Sequence, residues 1–209
     1  MAYPVTVKVE PQIENRNRMT VGFRLILAIP HVLLVGGIGL AASSMGFSSR
    51  ESVGSHGGIL GVAAGILAFV SWFTLVFAGK HIIGIRQFTT FYVRWRVRAL
   101  AYLMLLEDAY PPFGDAAYPA SVDVVDPPAR DRLTIAFRIV LAIPHFFVVA
   151  ILLVAWWFTA VFSWFAILFS GSYPEGLYTF AVGCLRWVTR VEAYMLLLVD
   201  DYPPFSLDD

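Results

Sequence analysis

Apolar positions in this chain fall into long runs, and the period of the few polar positions inside them decides what each run can be. The first run extends from about residue 21 to 42 and is broken only by Arg24 and His31. At about 1.5 Å per residue, such a helix reaches across a hydrocarbon core of about 30 Å. A glycine- and serine-rich stretch, 43–58, leads to a second uncharged run at about 58–79. The next segment, about 80–106, interleaves Arg86, Arg94, Arg96 and Arg98 with Phe88, Phe91, Tyr92, Trp95 and Leu100. Arg94, Arg98 and Tyr102 recur every four residues, which puts them on one helix face and predicts an amphipathic helix lying in the membrane interface. Tyr110-Pro111-Pro112-Phe113 then forces an extended turn, because a residue before proline is driven out of the helical region. Ahead of the first run, Val5, Val7 and Val9 alternate with Thr6, Lys8 and Glu10, the period of a short strand.

The pattern then occurs a second time. RLILAIPH at 24–31 becomes RIVLAIPH at 138–145, and YLMLLEDAYPPF at 102–113 becomes YMLLLVDDYPPF at 194–205. SWF at 71–73 returns at 163–165, and YPVTVKV near the start returns as YPASVDV at 118–124. A tandem duplication divides the chain into repeat 1 (1–113) and repeat 2 (114–209). Repeat 2 carries predicted helices at about 132–154 and 156–171 and an interfacial helix at about 176–199. The Pro-His blocks are offset by 114 residues and the later blocks by 92, so repeat 1 holds 22 additional residues between its two apolar runs. The expected fold is all-α integral membrane, each repeat a transmembrane α-hairpin followed by a cytoplasmic interfacial helix, with short N-terminal strands. One feature strains this expectation: residues 139–171 are too few for two complete spans.

Composition agrees with a bilayer. Apolar residues make up 58% of the 209, charged residues only 14%, and mean hydropathy is +0.71. Lys and Arg balance Asp and Glu at 15 each, giving no basic excess for nucleic acid, and a lone Cys184 excludes an internal disulfide. Of the basic residues only Arg50 falls between the two runs of a repeat. The positive-inside tendency therefore puts both termini and both basic helices in the cytoplasm, with parallel repeats about an axis along the membrane normal.

The Arg-x-x-x-Ala-Ile-Pro-His helices, the Arg-Trp-x-x-Arg helices with a later Tyr, and the terminal Asp-x-Tyr-Pro-Pro-Phe together resemble an uncharacterised bacterial membrane family, domain of unknown function 4389. Both copies carry the resemblance. It implies a protein of the bacterial inner, cytoplasmic membrane without an assigned reaction. Within the terminal block the acidic position is only partly shared, Glu107 becoming Val199 and Ala109 becoming Asp201.

Candidate chemistry is sparse. Arg24 and Arg138 can snorkel to headgroups, or pair with Asp108 and Asp200 to close each repeat. His31 and His145 each follow a proline and lie seven residues after the arginine, so Arg and His share a helix face. Two facing membrane histidines would serve a proton or ion path, or ligate haem iron; a structural role beside the proline is the third reading. The stripes Arg94, Arg98, Tyr102 and Arg186, Arg190, Tyr194 suit anionic lipid, or simple positioning at the interface. No catalytic motif is present: there is no phosphate loop, nucleophile elbow, HExxH or CxxC. The sequence therefore points to a non-enzymatic membrane scaffold or accessory subunit without a cofactor, its partners being lipids and another membrane protein or a second copy. The alternatives are a small channel, transporter or proton conduit on the repeat axis, and a haem-binding redox subunit.

Overall fold

The computed structural model describes residues 3–38, 57–127 and 130–208. The 43–56 part of the linker and the 39–42 tail of the first predicted helix lie outside them. Strand β1 (Val5–Val9) leads through α1 (Arg18–Gly22) into α2 (Arg24–Val35), and α3 (Gly58–Phe73) ends in a π-helical turn, Thr74–Ala78. Helix α4 (Ile83–Leu103) completes repeat 1. Repeat 2 is β2 (Ala120–Val124), α5 (Arg132–Ala136), α6 (Arg138–Ser170) and α7 (Glu175–Met195). The copies match in detail. Asn17 caps α1 by accepting from Met19 N and Thr20 N, and Asp131 does the same for Leu133 N and Thr134 N at α5. A single residue, Phe23 or Phe137, then breaks each short helix from the long one that follows.

Repeat 2 contains no hairpin. Where two helices at 132–154 and 156–171 were expected, α6 is one unbroken helix of 33 residues. Repeat 1 has the same element cut in two. Helix α2 has 12 residues and α3 with its π turn 21, the same 33 residues in total, so the 22 additional residues interrupt a long helix. The two parts meet closely: Gly36 (φ 81°) and Gly58 (φ 63°) touch, and a Cβ on either would lie 2.5 Å from backbone. Only glycine fits there without strain.

The long helices run antiparallel. Trp72 Nε1, near the end of α3, donates to the Ile135 carbonyl just before α6, and Trp164 Nε1, near the end of α6, donates to the Val21 carbonyl just before α2, both at 3.0 Å. Arg138 and Trp164 are separated by about 39 Å of helix. To reach both anchors, α2 (about 18 Å) and α3 must lie end to end on one axis. Equivalent helices of the two repeats, expected to run parallel, are thereby found to run antiparallel. Direction between helices is set by which faces pack, and sequence periodicity is silent on it.

The sheet locates the internal twofold axis. β1 and β2 pair antiparallel with Val7 opposite Val122, Val5 opposite Val124 and Val9 opposite Ala120. Because the strands are themselves repeat equivalents, the axis passes through the centre of this ladder. Val5, Val7, Ala120 and Val122 are buried, while Lys8 and Asp123 point outward. Helices α4 and α7 pack on each other, on the sheet and under the long helices, α4 against α2 and α3, α7 against α6. Surrounded in this way, they form the core: Tyr92, Leu100, Tyr102, Leu185, Val191 and Tyr194 are all at most 1% exposed. The two expected interfacial helices are therefore the interior of the protein.

Candidate functional site

Each repeat builds one arginine cluster at the end of its core helix. Helix α4 closes in a Schellman turn, Leu106 N donating to Ala101 O and Leu105 N to Tyr102 O, with Leu105 at φ 65°. A leucine in this conformation is strained by about 1 kcal/mol, which burial of its side chain offsets. The carbonyls freed beyond the turn collect arginines: Arg16 donates to Leu105 O (2.6 Å) and Arg24 to Glu107 O (2.7 Å). Both arginines also reach Asp108 at 2.8 Å, and the Arg24 guanidinium lies 3.9 Å above the Tyr102 ring. In repeat 2, Leu197 has φ 64°, Arg130 and Arg138 pair with Asp200 at 2.8 Å, Arg138 donates to Tyr194 O, and its guanidinium covers the Tyr194 ring at 4.3 Å. Cations here complement the negative end of each helix dipole. Of the two roles the sequence leaves open for Arg24 and Arg138, headgroup anchoring and pairing, the structure has the pairs with Asp108 and Asp200; Arg16 and Arg130 double each pair, and their only sequence signal is that they occupy matching positions in the two copies.

The histidines occupy aromatic boxes within their own repeats. Trp95 Nε1 donates to His31 Nδ1 at 3.1 Å, Phe113 stacks on the imidazole at 4.6 Å, and Tyr110 lies 5.0 Å away. Trp187 donates to His145 Nδ1 at 3.2 Å, with Phe205 stacked at 4.2 Å and Tyr202 at 4.8 Å. An accepting Nδ1 assigns the proton of each neutral ring to Nε2. The Tyr-Pro-Pro-Phe turns thus close the boxes. Counted from the tryptophan anchors, the two histidine backbones lie about 14 Å apart along the antiparallel helices, and each imidazole is enclosed by aromatic side chains of its own repeat, so the two rings do not face one another as a haem pair would. No ring contact joins them among the described residues.

The two Arg-Arg-Tyr stripes face inward. Arg98 is buried and donates to Gly114 O (2.8 Å) and Asp115 Oδ1 (2.9 Å); Arg94, partly exposed, reaches Asp115 at 3.5 Å. Arg190 is buried against Ser206 O and Asp208 O, Arg186 donates to Val7 O, and Tyr102 and Tyr194 lie under Arg24 and Arg138. They fasten the segment after each core helix, and only Arg94 and Arg186 keep appreciable exposure.

A third cluster breaks the symmetry. Arg96 pairs with Glu192 at 2.9 Å across α4 and α7, Tyr92 Oη donates to Glu192 Oε1 at 3.2 Å, and Arg96 donates to Val35 O at 2.6 Å. Val35 ends α2, where the interruption frees its carbonyl, and Tyr92 Oη reaches Gly57 O at the other lip. In repeat 2, where the helix is continuous, the equivalents of Tyr92 and Arg96 are Cys184 and Val188, and Glu192 corresponds to Leu100. Aligning the copies would have exposed this site as charge facing apolar counterparts. Glu107, the counterpart of Val199, is likewise buried, and desolvation holds its carboxyl up at about 7, whereas hydrogen bonds from Arg16 and Asn17 pull Asp108 below its ordinary value. Burial raises the Cys184 thiol to about 12, which leaves it inert at neutral pH. Among the described residues, no three of His, Cys, Asp and Glu gather as a metal site.

Outside these clusters the long helices are apolar. The stretches Gly58–Ala78 and Arg138–Ser170 are each long and apolar enough to cross a membrane. On α6 the polar side chains Arg138, His145, Thr159 and Ser163 are all on the buried stripe, while Ile139, Phe147, Ile151, Trp157, Phe162 and Phe169 are exposed. An apolar cleft lined by Ala68, Phe69, Trp72, Ile139, Met195 and Leu197 opens between α3 and α6, with Arg138 in its wall. No curated protein and no solved structure matches the chain. A family model matches residues 57–114 and 132–206, one segment in each repeat, and the chain belongs to that family, the domain of unknown function DUF4389.

Proposed function

We propose that this protein is a non-enzymatic membrane scaffold that holds lipid or another membrane protein through its two long helices. The observation that carries the reading is the breadth of apolar side chain they leave uncovered, including Leu25, Ile29, Ile66, Phe69, Phe77, Phe147, Phe158 and Phe169. Patches of this extent and continuity are not left to water. The arginines support the same reading, since Arg16, Arg24, Arg130 and Arg138 are consumed by internal carboxylates and carbonyls and serve to lock the fold. The cleft between α3 and α6 has the lining of an acyl-chain groove.

Native mass spectrometry of the protein, extracted gently from the membrane in which it is expressed, tests this. The expected result is a reproducible bound phospholipid or companion membrane protein, reduced when Phe69 and Ile139 in the cleft are both replaced by Gln. A chain that leaves the membrane under a carbonate wash, or that purifies bare, overturns it.

A further inference from the structure

We infer that the protein lies within one leaflet, its internal twofold axis along the membrane normal and both long helices flat in the membrane plane. This rests on the membrane reading above and adds to it an orientation. A twofold rotation reverses only the component of a direction perpendicular to its axis. Antiparallel α2–α3 and α6 therefore lie across the axis, while the ladder at Val7 and Val122 sits on it. Standing the long helices upright would turn the axis into the membrane plane. The outward face of the sheet, with exposed Lys8 and Asp123, would then meet lipid at mid-depth, where each charge costs about 3 kcal/mol or more. Laying them flat puts that face in water.

Three further observations fit the flat arrangement. First, α6 has 33 residues, about 50 Å, against a hydrocarbon core of about 30 Å, a mismatch that disappears for a helix in the plane. Second, polarity divides along the axis direction: Arg138, His145, Thr159 and Ser163 all lie on the buried stripe of α6, and every exposed side chain from Ile139 to Phe169 is apolar. A spanning helix needs apolar side chains only through the middle of its length. Third, Tyr110, Phe113, Tyr202 and Phe205 are half-exposed beside the long helices, packed on the inward-facing His31 and His145. In the flat arrangement they fall at headgroup depth, where aromatic rings concentrate.

The test is side-specific labelling of single cysteines in a Cys184→Ala background with a membrane-impermeant maleimide, in right-side-out and inverted vesicles. Glu14→Cys marks one end of the long helices, beside Ser170–Ser172 at the end of α6; Lys80→Cys marks the other, just past α3; Asp123→Cys marks the sheet. All three should react from the same side and be lost to the reagent in vesicles of opposite sidedness. Glu14→Cys and Lys80→Cys reacting from opposite sides would overturn the flat orientation and leave membrane residence intact. Protection of Asp123→Cys from both sides would overturn it as well. Release of the unmodified protein by carbonate would instead remove the membrane reading itself.

Discussion

Two neighbouring carboxylates make the stability of this protein depend on pH with opposite signs. Glu107 has a folded pKa of about 7 against 4.5 for the free side chain. Between those values the folded chain holds a proton that the unfolded chain has released, so stability falls as pH rises from about 4.5 to 7, by up to about 3 kcal/mol. Glu107→Gln should flatten that slope in thermal unfolding of the detergent-solubilised protein; an unchanged slope would mean the carboxyl is solvated. Asp108 acts the other way: its depressed pKa stabilises the fold at ordinary pH, and this is lost as pH falls through the folded value. Asp200 neutralises the buried Arg138 and the partly buried Arg130 at once, and Asp200→Asn should cost about 3 kcal/mol. Asp115→Asn, at a half-exposed carboxylate, should cost less than about 1 kcal/mol.

The elements differ in how they satisfy one requirement, that every backbone carbonyl in an apolar setting finds a donor. Helix α6 does so along its own ladder everywhere but at Pro144, which has no N–H to give the Val140 carbonyl. The interrupted α2–α3 needs Arg96 at Val35 O, and Arg96 in turn needs Glu192. Arg96→Val in the intact chain should therefore lower stability by about 3 kcal/mol, since it strands a carbonyl and a carboxylate together. In a chain lacking residues 36–57, whose long helix can close, Arg96→Val with Glu192→Leu should be nearly neutral. An equal penalty in both backgrounds would disconnect the ion pair from the interruption. Gly58→Ala should destabilise the intact chain, since φ 63° and a backbone atom at 2.5 Å leave no room for a Cβ.

At the scale of the molecule, neither repeat is closed alone. β1 finds its partner in β2, Arg86 donates to Leu198 O, and the Trp72 and Trp164 anchors cross between copies at both ends. Residues 1–115 and 116–209 expressed separately should aggregate or be degraded, and co-expressed they should purify as a one-to-one complex. A soluble, cooperatively unfolding single half would show that the duplication joined two independent domains.

Sequence alone established the duplication, the 22 additional residues of repeat 1, the apolar reach of the long helices and the two strands, because each is written in local order or in matched spacing; the Arg–Asp pairs it offered only beside headgroup anchoring. It also carried, unread, the Arg96–Glu192 exception to the repeat. What only tertiary structure decided is how two adjacent apolar runs connect, which way the long helices run, and which face of α4 and α7 is covered. Hydrophobic period fixes the angle of a stripe around its own helix axis. It does not say whether a break is a turn or an interruption on a continuing axis, and it cannot tell an arginine face turned to headgroups from one turned onto a helix end. Those choices are made by the contacts between elements: the two glycines that let α2 meet α3, the tryptophans that set the helices antiparallel, and the freed carbonyls that draw the arginines inward.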